Sequence, residues 1–132
     1  MKHFLLSIAL LAILITGTSQ ARLGYSEKEI RKELYGVELE VSNSDDETYT
    51  LGFESVYGAF FYIMDTNTKI CEFCMYVMNS QGSVNAMVES FNGKYVILSD
   101  TEWRAYTDAG GMVDIALQYN YEHGLYAFIY TQ

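Results

Sequence analysis

The chain has 132 residues and carries 17 acidic against 8 basic side chains, a net charge of −9. That length suits one domain, long enough to bury a core without a covalent staple. The acidity argues against nucleic acid as a partner, because a phosphate backbone would repel it, and against an anionic membrane surface for the same reason.

Residues 1–21, MKHFLLSIALLAILITGTSQA, read as a secretory signal peptide. A short polar start is followed by an apolar run from Phe4 to Ile15 and then by small and polar residues, with Ser19 and Ala21 spaced as at a signal-peptidase site. The run is too short for a membrane span, which takes about 20 apolar residues. Cleavage after about Ala21 leaves residues 22–132 as a single exported domain, periplasmic or extracellular, with no membrane span.

Tyr25 to Ile30 opens a helix over 26–35. Ser26 is placed to cap it, Glu29 to bond back three residues on, and Tyr25 and Ile30 occupy the staple positions. Val37, Leu39 and Val41 alternate with glutamates as a half-buried strand. A turn at 43–47 leads to a second strand through Tyr49, Leu51 and Phe53. Residues 57–64 and 70–78 are apolar on both faces, the mark of central strands. A second helix starts at Gln81 to Ser83, lines up Val84, Met87, Val88 and Phe91, and closes at Asn92-Gly93. Strands at 94–98, 102–107, 112–119 and 125–130 complete the chain, the last two joined as a hairpin.

The expected fold is α+β, an antiparallel sheet with two helices packed on one face. The order helix, four strands, helix, four strands suggests two α-β-β-β-β repeats, with helix starts at Ser26 and Ser83. The segments SEKEIRKEL and GSVNAMVESF with their following strands give a plan that resembles the duplicated helix-plus-sheet modules of beta-lactamase-inhibitor-like and PepSY-like exported bacterial proteins. That resemblance rests on element order over residues 26–131. It implies a protein-binding sheet surface and no catalysis.

Cys71-Glu72-Phe73-Cys74 is the one motif with redox spacing. A redox C-x-x-C places its first thiol at a helix N-terminus, whereas this one falls in a strand. Three steps along a regular strand put the two Cα atoms ~10 Å apart with side chains on opposite faces, and a disulfide needs less than about 7 Å. Two buried, inert thiols are therefore expected, with a disulfide as the alternative if a bulge or turn interrupts the strand. Zinc would need more ligands than these two, and His123, the one histidine after the signal segment, falls in a hairpin turn. The segment Asp65-Thr66-Asn67-Thr68-Lys69 begins like a calcium loop but has Ile70 where such a loop needs glycine. No metal or cofactor is expected. Glu54, Asp100, Glu102 and Asp114 have no separation that assigns them acid or base roles.

The aromatics carry the functional reading. Tyr126, Phe128 and Tyr130 share one face of the last strand, and Phe60 and Tyr62 oppose Ala59, Phe61 and Ile63. Two helices cover only one face of a sheet, which leaves aromatic surface open, and tyrosine-rich surface suits protein interfaces. The expected function is a non-enzymatic protein-binding module, with an inhibitory role as one form, using Tyr62, Trp103, Tyr126, Phe128 and Tyr130. The alternatives are a structural or self-associating envelope protein and a small carboxylate-based hydrolase.

Overall fold

The computed structural model describes residues 22–43, 45–107 and 110–132; residues 1–21, expected from the sequence to be a signal peptide, lie outside them. The chain forms α1 (Glu27–Glu33), β1 (Glu40–Asn43), β2 (Thr48–Glu54), β3 (Gly58–Asp65), β4 (Cys71–Met78), α2 (Gln81–Lys94), β5 (Val96–Ser99), β6 (Glu102–Tyr106), β7 (Met112–Asn120) and β8 (Leu125–Thr131). The fold is α+β. The eight strands among the described residues join one sheet in the order β1-β2-β3-β4-β8-β7-β6-β5. Every pairing is antiparallel, and β4 and β8 meet at the centre.

The local signals act as their chemistry requires. The Ser26 hydroxyl accepts from the Glu29 amide, and the Glu29 carboxylate accepts from the Ser26 amide. Two otherwise orphaned donors are thereby satisfied. Ser80 caps α2 by accepting from the Ser83 amide. The first strand departs from expectation. Strand pairing begins only at Glu40, and all four β1 residues are exposed. Val37 and Leu39 instead pack half-buried against the core before the strand starts.

The sheet has one helix-covered face. Leu51 and Phe53 of β2, Phe60, Tyr62 and Met64 of β3, and Cys74, Tyr76 and Met78 of β4 alternate inward on it. Trp103, Val113, Ile115, Phe128 and Tyr130 continue it across the other half. Tyr49, on this face of β2, donates from its hydroxyl to Glu27 of α1. Phe91 of α2 packs its ring on Trp103 and Phe128. Both helices therefore lie on the same side. Aromatic side chains carry the largest apolar area, so covering this face removes more of it from water than covering the other.

The pairing of β3 with β4 runs Tyr62↔Cys74 and Ile63↔Phe73, then jumps to Met64↔Cys71. Glu72 is the extra residue, a β-bulge. Alongside it, the segment from Arg22 to Ser26 straps the start of β4. The Gly24 amide donates to the Cys71 carbonyl and the Cys71 amide donates to the Tyr25 carbonyl.

Candidate functional site on the helix-free face

The five aromatic residues expected to present a binding surface do not do so as a group. Tyr62, Trp103 and Phe128 are completely buried and Tyr130 is nearly so. Their rings form the core beneath the helices. The Trp103 indole N–H donates to Asn92 of α2, and the Tyr62 hydroxyl accepts from the buried Arg22 guanidinium. The expectation fails because a period of two distinguishes two faces without saying which one the helices take. Tyr126 alone reaches the surface. It is half-buried, beside Tyr119 and the exposed Tyr121 at the β7–β8 hairpin.

Among the described residues, the opposite face carries no helix. Its side chains follow from the register. One line of cross-strand partners runs Glu40, Gly52, Phe61, Met75, Ile129, Ala116 and Glu102, crossing seven strands. A second line begins Ser42, Thr50, Ile63 and Phe73. The middle is therefore apolar: Phe61, Phe73, Met75, Val77 and Ile129 are all partly exposed. The ends are acidic, with Glu40 and Glu54 towards one edge and Glu102 towards the other.

Phe61 shapes the centre of this face. Its ring lies over Gly52, where an added Cβ would sit 2.8 Å from the ring. Only glycine admits so close an approach without displacing the ring. Shallow depressions of about 420 Å3 and 290 Å3 flank Phe61. Ile63, Phe73 and Met75 help line the larger, and Glu38, Glu40 and Glu54 the smaller.

Electrostatics on this face are simple. Arg104 and Asp114, partners across β6 and β7, form a two-bond ion pair at 2.8 and 3.2 Å. The guanidinium holds the Asp114 carboxyl below the usual carboxylate range. Asp114 is thus kept ionised, the opposite of what a general acid needs. Glu102 accepts a hydrogen bond from the Ser99 hydroxyl. Among the described residues, no group of three or more histidine, cysteine or acidic side chains is arranged to hold a metal ion.

The cysteines are brought together. Cys71 and Cys74 are both buried and unbridged, with their sulfurs 3.6 Å apart. Burial pushes the Cys74 thiol up, away from the thiolate form. Neither sulfur sits at a helix N-terminus, so the arrangement lacks the activation that redox-catalytic thiols use.

No family model, no curated protein and no solved structure matches this chain.

Proposed function

We propose that the chain is an exported, non-enzymatic binding module that takes another protein onto the helix-free face of its sheet. The observation that carries this is the apolar line Phe61–Met75–Ile129, joined by Phe73 and ended by Glu40 and Glu102. A partly exposed apolar centre with a charged rim is the anatomy of a protein interface. The acidic rim, on a chain of net charge −9, selects a partner whose apolar contact patch is ringed by lysine and arginine. An inhibitor would use the same surface. The strand order, which mirrors β1-β2-β3-β4 as β8-β7-β6-β5, supports reading the chain as two α-β-β-β-β units and favours the duplicated helix-plus-sheet resemblance. The test is a photo-cross-linking residue at Phe73, compared with one at the exposed Tyr35 near the end of α1, in cells exporting the full chain. The Phe73 position should give a defined adduct and the Tyr35 position none. Adducts from Tyr35 alone would place the interface elsewhere.

A second reading, self-association, is favoured by one observation. β5 is an edge strand with Val96, Ile97 and Leu98 at 48%, 56% and 45% exposure. An exposed apolar edge is a template for another strand. Antiparallel pairing of two copies centred on Ile97 sets Val96 of each opposite Leu98 of the other. Sedimentation at rising concentration should show a dimer, and Ile97→Lys should abolish it. A dimer that survives Ile97→Lys would show that β5 is not the seam.

A further inference from the structure

We infer that Cys71 and Cys74 are a disulfide site, closed across the β-bulge at Glu72 when the chain is in an oxidising compartment. The inference rests on the export reading for its setting but on geometry for its mechanism.

The bulge removes the objection that spacing raises. In a regular strand Cys71 and Cys74 would face opposite sides of the sheet. Here Cys74 pairs with Tyr62 and Cys71 pairs with Met64, two positions that alternate onto the same face. The extra residue at Glu72 turns Cys71 inward beside Cys74, and the sulfurs stand 3.6 Å apart. A disulfide bond is about 2.05 Å long, so about 1.5 Å of sulfur movement closes it. Side-chain rotation supplies movement of that order.

The surroundings say when closure happens. Both sulfurs are buried, and the strap from Arg22 to Ser26 is bonded to the backbone of Cys71 on both sides. Arg22 pins that strap, donating to Glu33 at 2.7 Å and to the Tyr62 hydroxyl at 3.0 Å. A soluble disulfide donor cannot reach either sulfur while the strap is closed. Oxidation therefore occurs during folding, or when the strap opens locally.

The chemistry is thiol–disulfide exchange with a small or protein disulfide, R–S–S–R. One cysteine thiolate attacks the donor, forms a mixed disulfide and releases one R–S⁻. The second thiolate attacks the protein sulfur of that mixed disulfide and releases the other R–S⁻. Two electrons pass from the cysteine pair to the donor. The two protons lost by the cysteines end on the two released thiols.

The test is intact-mass analysis of the product of the full-length chain, exported from a bacterium, denatured and alkylated with iodoacetamide with and without prior reduction. The expected product takes up no alkyl group before reduction and two after it. Its mass also reports separately whether residues 1–21 have been removed. A product that retains them refutes the export reading. The disulfide is then decided by refolding the same chain in oxidised glutathione. In reduced, folded protein, alkylation should be slow and should accelerate when Arg22→Ala loosens the strap. Two alkyl groups before reduction, in both the exported and the glutathione-refolded protein, overturn the inference. So does a bridge between two chains.

Discussion

Replacing Phe91 with alanine removes the ring on which the second half of the core converges. Phe91 is fully buried, with ring centroids of Tyr95, Trp103, Phe128 and Tyr130 at 5.4, 5.5, 5.1 and 6.4 Å. A buried phenylalanine cut to alanine costs about 3–5 kcal/mol. Four ring partners, each worth about 0.5–1.5 kcal/mol beyond area in a good pair, place this one in the upper half, about 4 kcal/mol or more. Phe61 is the matched comparison, the same side chain at the centre of the helix-free face. Partial exposure reduces its transfer contribution to about 1–2 kcal/mol. With a urea slope of about 1.5 kcal/mol per molar, the midpoints should fall by about 2.5 M for Phe91→Ala and about 1 M for Phe61→Ala. Far-ultraviolet dichroism follows the whole fold, and the single tryptophan, Trp103, reports the packing under α2. An equal or larger loss for Phe61→Ala would refute the assignment of the covered and open faces.

Further consequences follow from single groups. The Tyr130 hydroxyl is buried with no hydrogen-bond partner among the described residues, so Tyr130→Phe should leave the thermal midpoint unchanged or raise it. Tyr76, whose hydroxyl bonds Ser55, should lose about 1 kcal/mol as Tyr76→Phe. Gly58→Ala would drive a Cβ into the Val77 carbonyl oxygen of the neighbouring strand. It should destabilise by several kcal/mol, about 3 or more, against about 0.5 kcal/mol for an exposed, unconstrained position. Burial raises the phenol pKa of Tyr62, Tyr76, Tyr95 and Tyr130 above the ordinary value of 10.0. A raised folded pKa contributes stability that is full below the unfolded value and lost as pH climbs towards the folded one. Stability should therefore decline above about pH 10. Spectrophotometric titration should show these four buried phenols ionising only as the fold opens.

The legibility of the chain divides along physical lines. Capping chemistry is local, so Ser26 and Glu29 could be read directly; α2 could be placed from Gln81, though not its cap, Ser80. Period two is also local, and it separated Phe60 and Tyr62 from Phe61 and Ile63 correctly. Which of the two sets lies under the helices depends on packing between distant segments. That is why Tyr62, Trp103, Phe128 and Tyr130 were expected at a surface and are core. The size of the side chains held the missing signal: the face with the larger aromatic area is the one that gains most from being covered. The bulge at Glu72 is set by the register of β3 against β4, and one strand's sequence does not encode it. The same holds for β1, whose pairing partners determine that Val37 and Leu39 precede the strand rather than belong to it. The Phe61, Met75 and Ile129 line emerges only once β4 is known to pair with β8.

The central claim is that the helix-free face is the binding surface, and calorimetry with the partner captured at Phe73 tests it most directly. Met75→Glu places a carboxylate at the centre of the apolar line while leaving the helix-covered core untouched. It should weaken binding at least tenfold, about 1.4 kcal/mol, with a thermal midpoint close to that of the unaltered protein. Tyr35→Glu should leave the affinity unchanged. Unaltered binding by a folded Met75→Glu protein would contradict the account.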